Sequence, residues 1–117
     1  MTRVLVIDGN RDIAAGIAVL LTTYAIEVET ASTAEAAEEA IARFAPDAVV
    51  LDIYSPGLHS GRLFADFRRR FPGLAIVFTS PRRPENSDLS SLNDAKTLFL
   101  QKPFDGASLV DAIRSLL

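Results

Sequence analysis

The sequence has no cysteine, no tryptophan, one histidine and one methionine. Without cysteine there is no disulfide and no thiolate metal site, which fits a reducing compartment. A lone imidazole, His59, excludes a metal centre built from several histidines. Positive charge is not in excess: 12 Lys and Arg stand against 15 Asp and Glu, a formal net charge of -3. That balance argues against a dedicated nucleic-acid binder. No apolar run approaches the roughly 20 residues that a membrane-spanning helix needs. The amino terminus carries no signal-peptide pattern, because Arg3 leads straight into a short apolar run closed by Asp8. A cytoplasmic protein that engages neither membrane nor nucleic acid directly is the expectation. No repeat, low-complexity tract or linker divides the 117 residues, so one domain over 1–117 is expected, large enough for a real core.

What is present is a regular alternation of short apolar runs and amphipathic stretches. Val4-Leu5-Val6-Ile7, Ala48-Val49-Val50-Leu51 and Leu74-Ala75-Ile76-Val77-Phe78 are apolar on both faces and read as strands with helices on either side. Leu98-Phe99-Leu100 is a further strand. Ile26, Val28 and Thr30 alternate with Glu27 and Glu29, the pattern of a half-exposed edge strand. Asn10 can cap a helix carrying Ile13, Ile17, Leu20 and Leu21 at helical spacing. Ser32 and Glu35 have the spacing of a capping box before a helix with Ala34, Ala37, Ile41 and Phe44, stopped by Pro46. Ser60 can cap a helix carrying Leu63, Phe64, Phe67 and Phe71, in whose last turn Arg68, Arg69 and Arg70 read as solvated surface. Asp105 caps a final helix with Leu109, Ile113 and Leu116 inward. Between residues 81 and 95 only Leu89 and Leu92 offer an apolar face, so a loop and a short helix are expected there. Strands alternating with helices imply a parallel sheet with right-handed crossovers and helices on both faces. Such sheets bind ligands at their carboxyl edge.

Four polar residues fall at that edge. Asp8, Asp52 and Thr79 each follow an apolar run directly, and Lys102 follows Leu98-Phe99-Leu100-Gln101. Taken singly they are ordinary: Asp8 could cap a helix, Thr79 is a common strand residue, and Lys102 could be a solvated strand end. A carboxylate that closes a fully apolar strand needs a partner, however. Two carboxylates, a hydroxyl and an amine converging at one edge suggest a single polar site suited to phosphate and metal chemistry.

The segments Val4-Leu5-Val6-Ile7-Asp8, Val49-Val50-Leu51-Asp52, Ser55-Pro56-Gly57-Leu58, Phe78-Thr79-Ser80 and Lys102-Pro103-Phe104, in that order, resemble the receiver domains of two-component response regulators, the CheY-like superfamily. The resemblance covers essentially the whole chain. It implies a flavodoxin-like doubly wound (βα)5 three-layer sandwich, α/β in class, with a five-stranded parallel sheet of order 2-1-3-4-5. It implies a signalling module rather than an enzyme. Asp52 would accept a phosphoryl group from a histidine kinase or a histidine phosphotransfer protein, and a surface that binds a downstream protein target, or a second copy in a homodimer, would switch. By the same resemblance Asp8, Asp52 and the backbone carbonyl of Tyr54 would hold Mg²⁺. Lys102 and Thr79 would bind the phosphoryl oxygens, Phe99 would change rotamer with Thr79, and the Lys102-Pro103 bond would be cis.

One position departs from the pattern. Receivers typically carry a second acid directly after the first, and here that place is Gly9. The site thereby loses a charge and an oxygen ligand, and Mg²⁺ should bind weakly. Gly9 therefore motivates an alternative, a degenerate receiver that binds partners without phosphorylation. A lesser alternative is a small phosphatase-like hydrolase, faintly suggested by Ile7-Asp8-Gly9-Asn10. That class wants a second aspartate where this chain has Asn10, and it would leave Asp52 without a role.

Overall fold

The three runs that are apolar on both faces become the buried centre of one sheet. The computed structural model describes residues 1–82 and 94–117. Along the chain come β1 (Arg3–Ile7), α1 (Arg11–Thr22), β2 (Glu27–Ala31), α2 (Ala34–Phe44), β3 (Ala48–Asp52), α3 (Ser60–Arg70), β4 (Ala75–Ser80), β5 (Thr97–Gln101) and α4 (Gly106–Leu116). The strands lie in the order β2-β1-β3-β4-β5 and every pairing is parallel. This is the flavodoxin-like, doubly wound arrangement. The short helix expected between β4 and β5 falls mostly on residues 83–93, outside the described residues.

Strand periodicity of two divides the core cleanly. Leu5, Ile7, Val49, Leu51, Ile76 and Phe78 face α2 and α3, where they meet Ala37, Ile41, Phe64 and Phe67. Val4, Val6, Val50, Ala75 and Val77 face α1 and α4, where they meet Ile17, Leu21, Leu109 and Ile113. Burying a side chain of this size contributes roughly 1.5–3 kcal/mol. β2 is the half-exposed edge that its alternation suggested.

Several local expectations need correction. α2 is capped by Thr33, whose hydroxyl accepts from the Ala36 N–H at 3.1 Å. Ser32 lies one residue too early, and no capping box with Glu35 forms. α3 has no side-chain cap: His59 precedes it in a left-handed conformation, and Ser60 is already helical. On α1 the inward phase is Ala14, Ile17 and Leu21, while Ile13 is 39% exposed. Asn10 and Asp105 do cap their helices. Among the described residues no helix is long and apolar enough to cross a membrane.

Candidate functional site

The register that builds the core also builds the site. Val6, Val50 and Val77 are paired across β1, β3 and β4 and share the face toward α1 and α4. Two residues further on, the same row continues as Asp8, Asp52 and Thr79, with Asp52 paired directly to Thr79. Each strand has there run out of apolar partners. All three are buried, at 2%, 7% and 1% exposure. Lys102 reaches the row from the end of β5, beside a cis Lys102-Pro103 peptide bond.

Lys102 Nζ donates to Asp8 Oδ2 at 2.8 Å and lies 3.5 Å from Asp52 Oδ1. The lysine is thus bound to one carboxylate and poised near the other. Asp8 Oδ1 accepts the Asn10 N–H at 2.9 Å. The Asn10 side chain is itself committed to the start of α1, accepting from the N–H groups of Asp12 and Ile13. Asp52 is held by two hydroxyls that sequence reading missed. Ser55 donates to its Oδ2, and Ser60 donates to its backbone carbonyl. The Ser55 hydroxyl in turn accepts the Gly9 N–H at 2.9 Å. Among the described residues two buried atoms are left over: Asp52 Oδ1 and Thr79 Oγ1 have no hydrogen-bond partner.

Gly9 now has a spatial explanation. A Cβ at this position would lie 2.9 Å from the Ser55 Cβ and 3.1 Å from its Oγ. Ser55 fills the space into which a second acid would project. At the rim, Arg82 stacks over the Tyr54 ring, 4.4 Å from its centroid, and Ile13 and Pro81 complete the cleft. Phe99 is not brought into the site. It is half-buried and packs, in register with Phe78, on the α2–α3 face.

A resident Mg²⁺ requires oxygen ligands that are free to turn toward it. Three of the four carboxylate oxygens of Asp8 and Asp52 already accept protein hydrogen bonds, and position 9 offers none. Among the described residues no group of three or more His, Cys, Asp and Glu gathers. The side chains as arranged do not fit the metal.

The residue pattern and the fold agree with known proteins. The family model described as response regulator receiver domain matches residues 4–114. The chain belongs to this family. As a receiver of two-component systems it is a signalling domain, not an enzyme of the usual kind. It is 30% identical to the response regulator MprA of Mycobacterium leprae over 115 residues, 98% of this chain and 50% of that protein. The receiver therefore spans about half the length of the curated relatives it matches. Among solved structures, the response regulator TrrA of Thermotoga maritima, in complex with Mg(2+)-BeF, superposes with a TM-score of 0.86 at 27% identity, each chain fully covered. The chemotaxis protein CheY4 of Vibrio cholerae gives a TM-score of 0.89 over 100% of this chain and 99% of that one, at 20% identity, a likeness of fold alone.

One of the two serines had a legible signal. Ser55 stands three residues after the strand-ending aspartate and immediately before Pro56-Gly57, a turn that can aim a hydroxyl back at the strand. Ser60 carried no such signal, because its reach to the Asp52 carbonyl depends on how α3 docks.

Proposed function

We propose that this receiver accepts a phosphoryl group on Asp52 and that Lys102 and Thr79 hold it there. The observation that carries this reading is the pair of buried oxygens on adjacent strands, Asp52 Oδ1 and Thr79 Oγ1, that have no hydrogen-bond partner among the described residues. Leaving such groups unsatisfied costs on the order of 1–3 kcal/mol each. A phosphoryl group removes both deficits. Oδ1 becomes the bridging oxygen of an acyl phosphate, and the Thr79 hydroxyl gains an acceptor. With a phosphohistidine as donor, the Oδ1–P bond forms as the P–N bond breaks. The electron pair stays on the imidazole nitrogen, which takes a proton from water if it leaves as the neutral ring's anion. The Lys102 ammonium, 3.5 Å from Oδ1, offsets the repulsion between the carboxylate and the incoming anion.

The donor in this reading is a histidine kinase or histidine phosphotransfer protein. Drawing Thr79 toward the phosphoryl group would let Phe99 repack beside Phe78 and bias a surface for a downstream protein, or for a second copy of the chain. Residues 1–117 would act as one receiver domain. A second reading, a degenerate receiver that works without phosphorylation, is favoured by Gly9 and by the engagement of Asp52 with Ser55.

Intact-mass spectrometry after incubation with phosphoramidate or acetyl phosphate, with and without Mg²⁺, separates the two. Labelling of the wild type that disappears in Asp52→Asn is the expected result. Persistent labelling of Asp52→Asn would overturn the assignment, and an unlabelled wild type would leave the degenerate reading.

A further inference from the structure

Ser55 is held in place more firmly than a surface loop serine needs to be. Its carbonyl accepts the Leu58 N–H at 3.2 Å, Pro56 and Gly57 occupy the two central positions, and Gly57 has a φ of 78°. Proline first and a positive-φ glycine second are what a type II turn requires. Leu58, at the end of the turn, is 1% exposed and anchors it in the core under α2 and α3. Pro56 also confines Ser55 to extended backbone. The hydroxyl of this fixed residue closes a relay, Gly9 N–H to Ser55 to Asp52 Oδ2. From the other side Ser60 fixes the Asp52 carbonyl.

We propose that Ser55 is the positioning residue of this site and the reason position 9 holds no side chain. Its hydroxyl ties down Oδ2 and so fixes the carboxylate plane with Oδ1, the oxygen 3.5 Å from Lys102, as the one available to react. The same hydrogen bond competes with any cation for Oδ2, and the Ser55 Cβ bars an acid at position 9. Ser55 and Gly9 are therefore one unit, a hydroxyl clamp standing where a metal and its second carboxylate would otherwise act on Asp52. The statement about Oδ1 rests on Asp52 being the phosphoryl acceptor; the statement about cations does not.

Mg²⁺ titration of the full chain, followed by the amide resonances of Gly9 and Asp52, tests the clamp in wild type, Ser55→Ala, Gly9→Asp and Gly9→Asp/Ser55→Gly. Gly9→Asp alone should tighten Mg²⁺ binding by less than about threefold, because its Cβ meets Ser55, whereas the double variant should gain roughly tenfold or more. Ser55→Ala, which removes only the hydroxyl, should also bind Mg²⁺ more tightly than wild type. In labelling without Mg²⁺, Ser55→Ala should be about tenfold slower than wild type, with Ser55→Thr restoring the rate. The full gain from Gly9→Asp alone, or a Ser55→Ala protein whose Mg²⁺ response matches wild type, would overturn the clamp. If no variant and no wild type is ever labelled, the phosphoacceptor reading fails, and the Mg²⁺ series still decides for or against the clamp.

Discussion

The two ends of the sheet handle polar groups in opposite ways. At the amino end of β5, Arg68 uses all five of its N–H donors: on Asp94, the carbonyls of Pro72, Leu74 and Lys96, and the Thr97 hydroxyl. Its guanidinium also lies over the Phe64 ring, 5.6 Å from the centroid. At the carboxyl end, Asp52 Oδ1 and Thr79 Oγ1 have no hydrogen-bond partner among the described residues, and Oδ1 has only the Lys102 ammonium 3.5 Å away. A satisfied network joins elements into a structure. An incomplete one leaves groups that can still gain a partner. Satisfaction, more than charge, tells the two apart.

The largest effect should come from breaking the complete end. Arg68→Met keeps an apolar stem but strands the Leu74 carbonyl and the Oδ2 of Asp94, and should cost about 2 kcal/mol in urea unfolding. A loss below about 0.5 kcal/mol would mean that Arg68 is surface after all. The incomplete end should respond with the opposite sign. Thr79→Val preserves shape and removes a hydroxyl that has no partner, so it should stabilise the free protein by about 1 kcal/mol. It should also weaken retention of a phosphoryl group on Asp52. Destabilisation by Thr79→Val would show that the hydroxyl is already satisfied, and the contrast between the two ends would fail.

The same distinction explains what could be read from the chain. The strands, the half-exposed edge and the row of Asp8, Asp52 and Thr79 follow from apolar periodicity, which is local and strong, whereas the strand order came through the family resemblance. Lys102 was placed at that edge by the same pattern, but its role and its cis bond came only through the family resemblance, because nothing local sets them. Arg68 was misread because its neighbours Arg69 and Arg70 are surface residues, paired with Asp66 and Glu38. Its own partners lie mostly more than 25 positions away, on Asp94, Lys96 and Thr97. The Gly9 and Ser55 unit is hidden for the same reason, since its two halves are 46 residues apart and each is unremarkable alone. Glycine at position 9 looked like a missing ligand; across the turn it is the space that Ser55 requires.

The smallest effect concerns an acid that is exposed and caps a helix, where Asp52 is buried. The Ser108 backbone N–H, 2.7 Å from Asp105, holds that carboxyl below the ordinary aspartate range. A folded-state value below the unfolded one means that the charged cap stabilises most above the unfolded value, near ~3.9. That contribution fades as pH falls through the folded value. Asp105→Asn keeps an acceptor at the cap and cannot titrate. The difference in thermal midpoint between wild type and Asp105→Asn should therefore be small and in favour of wild type near neutral pH, and should close below roughly pH 4. Asp66 is likewise held low, chiefly by its hydrogen bond from Arg70, but it is common to both proteins and cancels in the difference. A gap that widens on acidification would reverse the sign and show that the Asp105 charge is not what the helix terminus favours.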